Sequence, residues 1–215
     1  FWEKDYLYLN TGKGSFKESL NDKVETLSLN SMGGDIGDIN NDGHFDLINT
    51  DMLPANNDRL KRMTAFDSPQ AFENKKKQGY HHQLLQNSLQ LNDGAGGFQE
   101  VANMTGLAAT DWSWGALVFD FDLDGREDIF VSNGIYQDLT DFDFVSFIED
   151  KQGIAKIAEG NASFGINDII AQMPSNPLQN YGFLNKGGLT FENASSEIGF
   201  SEPSFSNGAA YADLD

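Results

Sequence analysis

Cysteine is absent from all 215 residues, which excludes a disulfide framework and any thiolate metal site. Basic residues are few, 14 against 33 acidic, and the formal charge of -19 would repel a polyanion at long range, so nucleic acid is excluded as a partner. No apolar run approaches the roughly 20 residues that span a bilayer, so no membrane insertion is expected of this segment. No charged-then-apolar leader opens the chain either. The sequence also lacks a nucleophile paired with a base, a P-loop and a dinucleotide fingerprint. Gly12-Lys-Gly14 and Gly94-Ala-Gly96 lie between strand-like runs and open no helix.

What the chain does hold is repetition. An Asn, a glycine-containing turn and a Phe six residues after the Asn recur at Asn10–Phe16, Asn92–Phe98 and Asn185–Phe191. Each copy continues into Ser-x-Gly and then an acidic loop, and Asn10 to Asp38, Asn92 to Asp120 and Asn185 to Asp213 are each 28 residues apart. Between copies the spacing changes, from 82 residues (Asp38 to Asp120) to 93 (Asp120 to Asp213), so a fixed structural unit alternates with inserted loop.

Alternating apolar and polar residues on either side of the glycine turns predict a β-hairpin at each Asn. Further strands are expected to enter the acidic loops at Gly33–Ile39, Gly115–Phe121 and Gly208–Leu214, and to leave the first two at Phe45–Asn49 and Asp128–Ser132. Two hairpins per unit would make a four-stranded sheet, the size of a β-propeller blade. The fold class is therefore all-β, a β-propeller with short helical insertions. The repeat units run over about 6–53, 84–133 and 180–215, with inserts at about 54–83 and 134–179, all within one propeller domain. One blade cannot bury both faces, and the chain opens at Phe1 and stops at Asp215 inside an acidic loop, so it is expected to be part of a longer protein. In the first insert, Ser68-Pro69 reads as an N-cap with Pro at the first helical position, and Gly79 ends the helix. In the second, Phe142, Val145 and Ile148 have helical spacing, and Ile169–Met173 is a short helix stopped by Pro174.

The acidic loops read Asp38-x-Asn40-x-Asp42-Gly43-x-x-Asp46 and Asp120-x-Asp122-x-Asp124-Gly125-x-x-Asp128. Oxygen donors at every second position, followed by Gly, let a short chain curl so that several converge on a hard cation, and Ca²⁺ suits flexible carboxylate geometry better than Mg²⁺. Zinc would want His or Cys ligands. An EF-hand would need a Glu at the twelfth position and flanking helices, but Asn49 and Val131 stand there in strand-like sequence. Simple Asx-turns need one such residue, not four at fixed spacing.

The acidic loop on a β-hairpin, preceded by Ser-x-Gly and by the Leu-x-Leu-Asn-x-Gly-x-Gly-x-Phe hairpin, resembles the FG-GAP/VCBS repeat. That repeat builds calcium-bearing propellers in integrin α subunits, cartilage acidic protein-like proteins and many secreted bacterial proteins. The resemblance implies a propeller of seven blades when complete. It also implies a Ca²⁺ held by Asp38, Asn40, Asp42 and Asp46 with the carbonyl of His44, and a second held by Asp120, Asp122, Asp124 and Asp128 with the carbonyl of Arg126. Asp213 and Asp215 would begin a third site. Asn40 departs from the all-Asp pattern and should lower the affinity of its loop. Ala109–Trp114 and Pro203–Gly208 are similar to segments of outer-surface proteins of Gram-negative bacteria, which implies an extracellular, outer-membrane-surface or periplasmic location.

Trp112 and Trp114 would share a face on an extended strand, and packing between blades outweighs a sugar platform for them. His81-His82 reads as a surface turn and Lys75–Lys77 as a solvated helix face. The expected role is a calcium-stabilised binding module whose inserts meet a carbohydrate or protein ligand, with calcium structural. The alternative is a polysaccharide-degrading, lyase-like enzyme on the same scaffold, depending on a basic or acid residue in an insert or groove.

Overall fold

A computed structural model describes residues 4–63, 68–149 and 166–212. The first hairpin joins β1 (Tyr8–Asn10) to β2 (Phe16–Glu18). After α1 (Leu20–Lys23) and the short β3 (Leu27–Ser28), β4 (Gly34–Gly37) and β5 (Asp46–Asn49) flank the first acidic loop. The first insert carries α2 (Asn57–Arg62), α3 (Pro69–Lys77) and β6 (Gln83–Leu84), then leads into the second hairpin, β7 (Ser88–Asn92) and β8 (Phe98–Glu100). Beyond α4 (Ala102–Thr105), β9 (Ser113–Phe119) and β10 (Asp128–Asn133) flank the second acidic loop. The second insert contributes α5 (Phe142–Glu149) and α6 (Ile166–Ile170), and β11 (Tyr181–Asn185) with β12 (Phe191–Asn193) makes the third hairpin.

Two four-stranded antiparallel sheets result, ordered β4-β5-β7-β8 and β9-β10-β11-β12, a propeller-like all-β arrangement. Each sheet joins the acidic-loop hairpin of one sequence copy to the Asn hairpin of the next, which corrects the expectation that both hairpins of one copy share a sheet. The inserts explain the offset. They connect the second strand of a sheet to the third, β5 to β7 and β10 to β11, whereas the stretch after each Asn hairpin steps to the following sheet. The β1-β2 hairpin accordingly stands as a separate two-stranded sheet. The strand expected at Gly208–Leu214 does not form over residues 208–212, and its remainder lies outside the described residues. The chain meets the end of β10 just before this segment, where the Ser206 N–H donates to the Asn133 carbonyl at 2.9 Å. Tyr211 instead stacks its ring on Phe119, with centroids 4.8 Å apart and planes within 11°.

The sheets meet along their first strands, β4 and β9, and glycine makes the approach possible. A Cβ on Gly33 would sit 2.5 Å from the Trp114 carbonyl oxygen and 2.9 Å from the Gly115 Cα, so Ser-x-Gly is a packing requirement of this seam. Asp35 crosses it, accepting the Val118 N–H at 2.8 Å. Alternating inward residues fill a shared core: Ile48, Leu89 and Leu91 from one sheet, Ala116, Val118, Ile129, Val131 and Phe183 from the other.

In the first insert Ser68 caps α3 by accepting the Ala71 N–H at 3.2 Å, Pro69 opens the helix, and Gly79 follows it at φ +82°, as the sequence predicts. α5 matches the Phe142, Val145, Ile148 spacing. α6 ends at Ile170, before Pro174, and a tight turn follows in which the Met173 N–H donates to the Ile170 carbonyl. Trp112 is buried with Met52, Met63 and Ile135, and Trp114 packs on that cluster while its indole N–H donates to the Gly134 carbonyl at 2.6 Å. Both tryptophans therefore serve packing.

Candidate metal centre

The two acidic loops fold alike because the same donors meet the same acceptors. Asp38 takes the N–H of Asp42 on one carboxylate oxygen (2.9 Å) and that of Gly43 on the other (2.8 Å). Asp120 does the same with Asp124 (3.0 Å) and Gly125 (2.8 Å). Asp42 accepts from the His44 N–H at 2.8 Å, and Asp124 from the Arg126 N–H at 3.0 Å. The curl needs left-handed backbone at Gly43 (φ +86°) and Gly125 (φ +84°), and also at Asn41 and Leu123. Asn tolerates that region. Leu does not, and Leu123 spends the strain holding an 87% exposed side chain.

Asp46 and Asp128 play a different part from the rest of each loop. Both are buried, and both use each carboxylate oxygen for a backbone N–H. Asp46 accepts from Ile39 at 2.9 Å and Asn92 at 2.8 Å; Asp128 accepts from Phe121 at 2.9 Å and Asn185 at 2.7 Å. The last aspartate thus closes its own loop and fastens the next hairpin. Burial pushes both carboxyls above the usual range, and the N–H donors only partly offset it. Exposed Asp42 shifts the other way, lowered first by the His44 N–H and then by Asn40.

In the second loop Asp120, Asp122 and Asp124 each place an oxygen within 4.8 Å of the others. Asp128 is not part of that trio. An all-oxygen donor set at this spacing fits a hard divalent cation. The Arg126 guanidinium already pairs with Asp124 and also donates to the Asn185 carbonyl at 2.7 Å, so one carboxylate of the trio has an internal counter-charge. In the first loop Asn40 stands where the second has a carboxylate, and its Nδ2 donates to Asp42 at 2.9 Å. His44 and Arg126 follow the left-handed glycines directly at the seventh position of each loop. Asp213 and Asp215 lie outside the described residues.

Three features around the loops escaped the sequence reading. Glu127 reaches across the seam onto Gly37, close to Asp38, and burial followed by neighbouring carboxylates raises its pKa, while the facing Asp38 N–H works against the rise. Asn10, Asn92 and Asn185 all accept the N–H of the glycine two residues on, at 2.8, 3.0 and 2.9 Å, which gives the recurring Asn its first role. Its second role, on the preceding loop's aspartate, spans two sequence copies and so has no local signal. The third feature is Arg59 on α2, which binds Asp111 through Nε (3.1 Å) and Nη2 (2.9 Å) and Asp138 through Nη1 (2.7 Å). Burial alone would lower the Arg59 pKa, but Asp111 and Asp138 outweigh it and hold the guanidinium firmly charged. Asp138 also accepts from Asn176 at 2.9 Å, so this arginine clasps the two inserts together.

No helix among the described residues is long and apolar enough to cross a membrane. None of the curated proteins matches the chain. The family model of the FG-GAP-like repeat matches residues 2–48 and 80–131, each stretch running from an Asn hairpin through an acidic loop into the strand beyond. Residues 2–48 and 80–131 are thus FG-GAP-like repeats.

Proposed function

We propose that the chain is a calcium-binding portion of a seven-bladed β-propeller in a secreted or cell-surface protein, and that its inserts present a binding surface to a carbohydrate or protein ligand. The observation that carries the calcium reading is the convergence of Asp120, Asp122 and Asp124 within 4.8 Å on a loop held by backbone hydrogen bonds. Asp38, Asn40 and Asp42 form the corresponding donor set of the first loop. Asp46 and Asp128 close the loops from below, with the carbonyls of His44 and Arg126 completing coordination. Calcium is structural in this reading, because each loop ties two strands of a sheet to the following hairpin.

The ligand-binding half of the proposal draws on the inserts. Arg59 of the first insert joins the second through Asp138, and the second insert exposes Tyr136 (70%), Leu139 (57%) and Phe142 (57%). Exposed aromatic and aliphatic side chains on a clasped rim suit recognition. Thermal melting tests the calcium reading. A cation that binds only the folded state raises the melting temperature by mass action, so chelation should lower it and added calcium should restore it. An identical melt in EDTA and in calcium would refute the reading. A glycan array of neutral and acidic polysaccharides, with and without calcium, tests the ligand class, and turnover of any of them would favour a lyase.

A further inference from the structure

The two acidic loops touch each other. Asn41, in the middle of the first, donates from Nδ2 to the Gly125 carbonyl in the middle of the second at 2.9 Å. Asn185, buried on β11, donates from Nδ2 to the carbonyls of Ile39 (2.8 Å) and Glu127 (3.0 Å), one in each loop. A continuous path follows. Asp128 accepts the Asn185 N–H at 2.7 Å, Asn185 holds the Ile39 carbonyl, and the Ile39 N–H donates to Asp46 at 2.9 Å. Only Asn185 and Ile39 separate the buried aspartates that close the two loops. The Glu127 side chain adds a third link, lying against Gly37 with its buried Oε2 lacking a hydrogen-bond partner.

We propose that the two loops bind calcium as a positively coupled pair, and that Asn41 and Asn185 are the positioning residues that carry the coupling. The inference rests on the calcium reading above. A cation in the first loop fixes the backbone from Asp38 to Asp42 and with it the Asn41 side chain. The Gly125 carbonyl is thereby held, and so is the peptide leading to Arg126, before a second cation arrives. The second binding event then has less backbone left to order, which is positive coupling without a new contact. Linkage makes the effect reciprocal, so the second loop must assist the first by the same factor. Repulsion between the two cations opposes this, but the loops are exposed to screening water.

Calorimetric titration of the metal-stripped chain with calcium chloride tests the proposal. The native chain should show cooperative binding, with a Hill coefficient above one. Replacing Asp120 and Asp124 by Asn silences the second loop and should weaken the first by about fivefold or more. Asn41→Gly keeps the left-handed backbone and every ligand, so both loops should still bind but with a reduced Hill coefficient. Near-UV circular dichroism confirms that each variant is folded, and Asn185→Gln provides a second break in the path should Asn41→Gly not fold. Two independent binding events in the native chain, or unchanged cooperativity in the variants, overturn the coupling alone. An absence of both binding heat and calcium-dependent melting in the native chain overturns the calcium reading itself.

Discussion

Asn185 donates its backbone N–H to the buried Asp128 carboxylate at 2.7 Å, and this contact fastens the third hairpin to the second acidic loop. Separately, its side-chain Nδ2 donates to the Ile39 and Glu127 carbonyls from inside the seam between the sheets. Asn185→Ala should therefore cost about 2–4 kcal/mol, the sum of several buried hydrogen bonds. Asn92→Ala, whose Nδ2 reaches only the Phe45 carbonyl at 3.2 Å, should cost roughly 1 kcal/mol. Urea denaturation of the two variants compares them, and equal losses would contradict the seam role of Asn185.

That asymmetry marks where sequence reasoning stops. The hairpins, the acidic loops and the capped helix α3 were legible because each is written in local spacing: Asn, Gly and Phe at fixed offsets, alternate aspartates, Ser-Pro at a helix start. Sheet membership was not legible, because β5 pairs with β7 across an insert that carries no pairing signal. The site was legible as a set of oxygen donors. The special duty of Asp46 and Asp128 was not, since their partners Asn92 and Asn185 belong to the next copy. Arg59 gave no signal either, because Asp111 and Asp138 are brought to it only by the fold.

Arg59→Ala leaves Asp111 and Asp138 buried without their counter-ion. It should destabilise by about 3–5 kcal/mol, the usual penalty for breaking a buried ion pair from one side. Arg59→Lys keeps the charge but loses the two-pronged grip on Asp111, so it should recover only part of the loss. Chemical denaturation gives both values, and full recovery by lysine would show that geometry at Asp111 is unimportant.

Glycine substitutions should separate packing from backbone strain. A Cβ on Gly33 meets the Trp114 backbone at 2.5 Å, and neither side can yield without opening the seam between β4 and β9, so Gly33→Ala should cost about 3 kcal/mol. Gly125 has open space around it but sits at φ +84°, so Gly125→Ala should cost only about 1–2 kcal/mol from strain. Thermal denaturation ranks them, and a reversed order would contradict the close approach of the sheets.

Asp51 gives a pH signature independent of the metal loops. It is fully buried, and burial raises its pKa despite hydrogen bonds from Ser28 (2.6 Å) and the N–H groups of Asn30 (3.0 Å) and Met52 (2.7 Å). A carboxyl raised in the folded state binds its proton more tightly there than in the unfolded chain. Its contribution to stability is therefore complete below the unfolded value of 3.8 and is lost as pH rises through the folded value. The second copy has Asn133 at this position, 82 residues on. Asp51→Asn should remove this loss, so that stability falls less than in the native chain as pH rises above 3.8, with a net change within about 2 kcal/mol at neutral pH. Denaturation measured across that range in EDTA checks it, and a slope unchanged from the native chain would assign the pH dependence elsewhere.

The most direct measurement is the calcium retained by the purified chain after dialysis against calcium-containing buffer and then metal-free buffer, read by atomic emission. Calcium should remain at one ion per complete acidic loop, and replacing Asp120, Asp122 and Asp124 together by Asn should remove the second loop's share. A native chain that retains none, or a variant that retains as much as the native chain, would contradict a calcium centre at these aspartates.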